Sequence, residues 1–266
     1  MSLETLIYEK KGHIAYVTLN RPQKLNAMNE VMDQELQEVW KDFDEDGDLW
    51  VAVLTGSGRA FCAGADVIAD FVEDETQPPA LVHFTPDGEA QVYQGPKRCG
   101  CWKPVILAVN GICIGGGLYF VGDADIVICS DSAWFGDAHT SLGQVFSWEA
   151  LGLLGKLPLD AIMRMALLSS SERLTAQRAY DLGLVGEVLT PDRLMPRATE
   201  LAEAMCRNAP LALRGTVRAI RQEWRQLLRP AYSQGMQTIM GNWPHEDTRE
   251  GPRAFAEKRA PQWKAR

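Results

Sequence analysis

Two turns in this sequence join bare backbone to small side chains, and each follows an apolar run. Ala63-Gly64-Ala65 lies downstream of Val51–Gly56, and Gly115-Gly116-Gly117 lies downstream of Val105–Val109. Glycine is selected where φ must be positive or where another group must approach the backbone closely. A helix that starts at such a turn presents unpaired N–H groups and a partial positive charge. That arrangement suits an oxygen that gains negative charge during a reaction. If the two turns are neighbours at the carboxyl edge of one sheet, the amides of Ala65 and Gly116 form an oxyanion hole. Each donor of that kind is worth roughly 2.7–4 kcal/mol to an enolate or tetrahedral intermediate. The alternative is a close strand–helix crossing with no ligand. The spacing of "GICIGGG" does not fit a dinucleotide-binding G-x-G-x-x-G, and no Gly-Lys-Ser/Thr follows to make a phosphate loop.

Titratable groups near these turns are few. No Asp, Glu, His or Lys follows Gly117 until Asp123. Tyr119 is a phenol with a reference pKa near 10, a poor base at neutral pH but a fair hydrogen-bond donor. His139 has a reference pKa near 6.5, suited to proton transfer, and Asp137 two residues earlier shares its face in an extended segment. Glu149 is a further candidate base. Trp148 and Phe146 read as apolar walls of a binding site. Asp66 reads as a helix N-cap, and His13, His83 and His245 as surface or loop residues.

The elements that must hold these groups follow from the patterning. "GHIAYVTLN" alternates as a strand and Pro22 ends it. "VAVLTG" and "KPVILAVNG" are continuous apolar strands buried on both faces. "NEVMDQELQEVWKDFDED" has helical spacing, with Val31, Met32, Leu36, Val39, Trp40 and Phe43 on one side and Asn29 as N-cap. Residues 71–90 have prolines, acids and weak periodicity, the marks of a surface loop or lid. "DADIVICSDSAWFGDA" supplies two short strands, and from about residue 157 the pattern is mostly helical. The chain thus reads as an α/β core over residues 1–195 and a helical C-terminal region over 196–266.

The 266 residues are 46% hydrophobic, enough for a large core. No window reaches a membrane span, and the N-terminal residues lack the pattern of a secretory signal. A net charge of −8 argues against nucleic acid but leaves room for a local basic pocket. Six cysteines include one close pair, Cys99 and Cys101, without the second pair a zinc site needs. No metal is expected, and a reducing, cytoplasmic compartment is.

Six segments in order resemble the crotonase (enoyl-CoA hydratase/isomerase) superfamily: "LNRPQKLNAM", "AFCAGAD", "KPVILAVNGICIGGG", "DADIVICSDSAWFG", "LTAQRAYDLGLVGEVL" and "EGPRAFAEKRAPQW". The resemblance implies a spiral of β-β-α units with a helical trimerisation region, and homotrimers that often pair into hexamers. It implies a coenzyme A thioester as substrate and no separate cofactor. Carried over by motif, the oxyanion amides are those of Ala65 and Gly116. Lys24, Leu25, Ala27 and Ala63 fall at CoA-binding positions, and Phe255 and Lys258 reach a neighbouring subunit's nucleotide.

Against the hydratase pattern, Tyr119 and His139 stand where the two glutamates belong. Ordinary two-glutamate hydration is therefore not what these residues support, and His139 is the expected base. A histidine at this position resembles superfamily members that hydrolyse carbon–carbon bonds, and Glu149 lies one residue beyond their acid. The readings left open are hydration, isomerisation, carbon–carbon hydrolysis using His139, and a non-catalytic acyl-CoA-binding protein.

Overall fold

The computed structural model describes residues 3–67, 83–84, 90–91 and 95–265. Most of the loop expected over residues 71–90 lies outside them. The chain opens with an antiparallel hairpin, β1 (Leu6–Lys11) and β2 (Ile14–Leu19). Helix α1 (Glu30–Glu45) then leads to β3 (Val51–Gly56), which runs parallel to β2. Asn29 caps α1 by accepting the Met32 N–H at 3.1 Å. The helix buries Met32, Leu36, Val39, Trp40 and Phe43 as its spacing predicts, whereas Val31 is 37% exposed. A 100° step beside Met32 turns it away from the sheet.

The next strands come in pairs that spiral. β4 (Ala60–Cys62) follows β3, and the short strands β5 (His83–Phe84) and β6 (Ala90–Gln91) pair with each other. Then come β7 (Val105–Val109), β8 (Ile112–Ile114), helix α2 (Gly117–Asp123), β9 (Ile126–Ser130) and β10 (Trp134–Gly136). The helical half comprises α3 (Trp148–Leu153), α4 (Leu159–Leu168), α5 (Ala176–Asp181), α6 (Pro191–Cys206), α7 (Pro210–Asn242) and α8 (Asp247–Ala256). Strands β11 (Leu174–Thr175) and β12 (Glu187–Leu189) flank α5. One sheet has the order β1-β2-β3-β7-β9-β12, and a second the order β11-β10-β8-β4. In each of three successive turns the first strand enters the large sheet and the second the small one.

Both faces of the large sheet are covered, so its inner strands carry no polar alternation. Val51 and Val53 of β3, with Ile106 and Ala108 of β7, pack against Leu194, Ala198 and Ala202 of α6. The alternate residues, Ala52, Leu54, Leu107 and Val109, join the main core between the sheets. Residues 195 and 196 lie within α6, so this helix belongs to the layered core. Helix α7 runs for 33 residues and packs on α3. There the Trp148 indole N–H donates to the Tyr232 carbonyl at 3.1 Å. The C-terminal carbonyls of α2 are capped by cations. Lys156 Nζ donates to Val121 and Ala124 at 2.6 and 2.8 Å, and Arg221 to Gly122 at 3.1 Å. Among the described residues, no helix is long and apolar enough to cross a membrane.

Candidate active site

The first turn is stitched to the N-terminal motif. Ala63 N–H donates to Leu25 O at 3.0 Å, Met28 N–H to Gly64 O at 2.7 Å, and Asp66 N–H to Met28 O at 2.8 Å. This lacing requires Leu25 and Asn26 at φ of 53° and 56°. Asn26 is the residue type that tolerates that region. Its buried side chain accepts the Arg21 N–H and donates to the carbonyls of Ser57 and Ala60, all at 2.9 Å. The Asp66 carboxylate is 3.1 Å from the Arg21 guanidinium. The residues it would cap lie outside those described.

The two turns meet. Gly64 sits at φ +87°, and a Cβ there would fall 3.2 Å from Gly116 N. A Cβ on Gly116 would lie 3.7 Å from Ala65 N and would collide with the Met28 methyl. Gly116 begins α2. Among the described residues, neither the Ala65 nor the Gly116 N–H has a protein acceptor. Both residues line a cavity of about 140 Å³ whose walls include Met28, Ile114, Leu142 and Val145. Met236, Met240 and Trp243 of the α7 end close it from above.

Opposite these amides stands His139. Its Nδ1 is 2.6 Å from Asp137 Oδ1, and Asp137 Oδ2 accepts the His139 backbone N–H at 2.8 Å. Its Nε2 lies 3.4 Å from Glu149 Oε1. The Asp137 and Glu149 side chains are 0% and 5% exposed, and that of His139 is 22%. Burial disfavours the imidazolium, but the Glu149 and Asp137 charges override it and raise the His139 pKa to about 9. That shift favours the imidazolium at neutral pH. His139, the expected base, thus stands between two carboxylates. Glu149, which is one residue out of step by motif, is brought to the ring by α3.

Tyr119 faces Glu149, and desolvation together with that charge pushes its phenol well above 10, so it stays protonated. Phe146 packs on the His139 ring at 5.6 Å between centroids. Trp148 is buried against Tyr119, Tyr232 and Met236.

The remaining expected positions are scattered. Ala63 lines the cavity, whereas Lys24 is exposed and Leu25 and Ala27 belong to the lacing turn. Phe255 is 58% exposed and Lys258 is also exposed; neither is among the residues that line the cavity at Ala65 and Gly116. Two contributors were not read from the sequence. Gln144 lines the cavity with its Nε2 buried and, among the described residues, without a hydrogen-bond partner. Arg98 stands behind Tyr119, its guanidinium 5.4 Å from the ring centre. Nothing local marks either residue; only the fold brings them in.

The enoyl-CoA hydratase/isomerase family model matches residues 9–266. The chain is 35% identical over 269 residues to carnitinyl-CoA dehydratase of Proteus mirabilis, covering 99% of each chain. It is 33% identical over 263 residues to mevalonyl-coenzyme A hydratase of Aspergillus fumigatus, covering 95% of this chain and 92% of that one. An enoyl-CoA hydratase/isomerase structure from Mycobacterium paratuberculosis matches with a TM-score of 0.75 and 42% identity, covering 100% of both chains.

Proposed function

The chain belongs to the enoyl-CoA hydratase/isomerase family, and from that premise we propose that it adds water to, or removes it from, an acyl-CoA thioester through a His139–Glu149 pair. One observation carries the reading. The amides of Ala65 and Gly116, without acceptors among the described residues, edge the same cavity as the His139 ring and the Glu149 carboxyl group, 3.4 Å apart. An enolate needs the first pair, and moving two protons needs the second.

In the hydration direction Glu149 takes a proton from water as the water oxygen bonds to C3. The C2=C3 electron pair shifts onto the thioester oxygen, held by the two amides. As the enolate collapses, His139 Nε2 gives its proton to C2. The proton on Glu149 then passes to His139, and the site is reset with one water added. Dehydration is the reverse. Asp137 positions the ring through Nδ1, and Tyr119 offers its hydroxyl to Glu149. The buried Gln144 amide supplies a donor for a polar group on the acyl chain.

A second reading, carbon–carbon hydrolysis of a β-diketone, is favoured by the Asp137–His139 contact, which would serve a water-activating histidine equally well. Incubation with a panel of enoyl-, 3-hydroxy- and cyclic 3-oxoacyl-CoAs, followed by mass spectrometry, separates these. A gain of 18 Da on an enoyl-CoA means hydration. The same gain on a cyclic diketone means ring opening, and an unchanged mass with a changed spectrum means isomerisation. Turnover of none of them would leave only a CoA-thioester-binding protein. His139→Ala is expected to lower kcat/KM at least tenfold; an unchanged value removes His139 from the mechanism.

Assembly as a trimer or hexamer is part of the same proposal, and exposed apolar residues such as Leu167 and Leu227 support it. A reducing, cytoplasmic setting is supported by six free cysteines. Phe255 and Lys258 would then meet CoA bound to a neighbouring copy.

A further inference from the structure

Tyr119 and Glu149 line a second chamber as well as the first. It is larger, about 460 Å³, and lies between α2, α3 and the N-terminal half of α7. Its described lining holds five cations, Lys97, Arg98, Arg218, Arg221 and Arg229, against the carboxylates of Asp123 and Glu149. Asp125 behind the wall is shared by Lys97 at 3.0 Å and Arg221 at 3.2 Å. Even counting Asp125, the chamber keeps an excess of positive charge inside a chain of net charge −8.

Two of these cations are poised for a ligand. The Arg98 guanidinium lies 5.4, 5.6 and 5.0 Å from the ring centres of Tyr119, Trp148 and Tyr232. Three aromatic faces orient it and shield it from water. Among the described residues no carboxylate pairs with it. Among the described residues, Arg218 bonds only the neutral Gln222 amide, at 2.9 Å. A planar cation held by rings with its N–H edge unpaired is the partner a carboxylate accepts in bidentate fashion.

We propose that this chamber binds a carboxylate at the far end of the acyl group, so that the substrate class is the CoA monothioester of a dicarboxylic acid. The proposal rests on the acyl-CoA reading of the first chamber. An acyl chain whose thioester oxygen sits at Ala65 and Gly116 runs past Tyr119 and Glu149 and delivers its terminus to Arg98 and Arg218. The other anions on such a ligand are the CoA phosphates. Ala63, the CoA-binding position that lines a cavity, borders the first chamber and not the second.

The test is calorimetric and needs no turnover. The probes are succinyl-, glutaryl- and adipyl-CoA, their terminal methyl esters, and CoA alone, titrated into the full-length protein. At least one acid is expected to bind tenfold or more tightly than its ester. Arg98→Gln and, independently, Arg218→Gln are expected to shrink that ratio at least threefold, so the idea survives failure of one variant to fold. Equal affinity of acids and esters overturns it, as does a ratio that neither folded variant changes. An equal loss for CoA alone and for the acids would assign the cations to the phosphates and also overturn it. Binding of no CoA species would refute the acyl-CoA reading itself, a distinct result.

Discussion

The chambers on either side of Tyr119 and Glu149 are made of different materials. The first is built from backbone amides, methionines and a single histidine locked between two acids. The second is built from arginine side chains and aromatic rings. Backbone amides in a laced turn cannot drift, which suits the stabilisation of a charge that exists only during reaction. Long side chains on a helix can be exchanged without touching that turn, which suits recognition of a substrate tail. On the proposed reading, chemistry and specificity are placed in separate materials, with two residues common to both.

The largest expected effect tests whether the common wall belongs to the chemistry. Glu149→Gln should lower kcat about 10²–10⁴-fold on every substrate, while the acid-to-ester binding ratio changes little. An intact kcat would remove Glu149 from the chemistry. Next comes the backbone. Gly116 has φ −55°, which proline can adopt. Gly116→Pro deletes the N–H and should cost about 10²–10³ in kcat, whereas Gly116→Ala, which keeps the N–H, should cost far less. Equal losses would mean that crowding of Met28 matters and the amide does not.

The third effect is one of pH. His139 is raised, so the donor form exists below about 9 and is lost as pH rises through it. The kcat/KM profile should therefore fall on a basic limb near 9, and Glu149→Gln should move the residual limb towards lower pH, because one of the two stabilising charges is gone. A limb that does not move would remove Glu149 from contact with the ring. The smallest effect lies at the periphery. Lys258→Gln should raise KM for CoA thioesters about two- to fivefold, the scale of one exposed charge, with kcat unchanged.

The two regions also differ in how far the sequence reveals them. The two small-residue turns could be read because glycine and small residues leave a local mark, and the strands before them because burial on both faces removes polar alternation. The N-cap at Asn29 and the Asp137–His139 pair were equally local. Glu149 was not, since its approach to His139 depends on where α3 docks. Arg98 was not, because its three rings come from residues 21, 50 and 134 positions downstream. The raised pKa of His139 depends on its contact with Glu149, which spacing cannot supply.

Helix α7 roofs both chambers, about 50 Å of it at 1.5 Å per residue. Residues up to Tyr232 face the basic chamber and those from Met236 onward the catalytic one. Pro230 sits near that changeover. It has no N–H to give the Gln226 carbonyl, so the ladder lacks a rung there. The roof is accordingly two rafters with a joint near the shared wall. On the proposed reading, the acyl tail lies under the first rafter and the reacting carbons under the second.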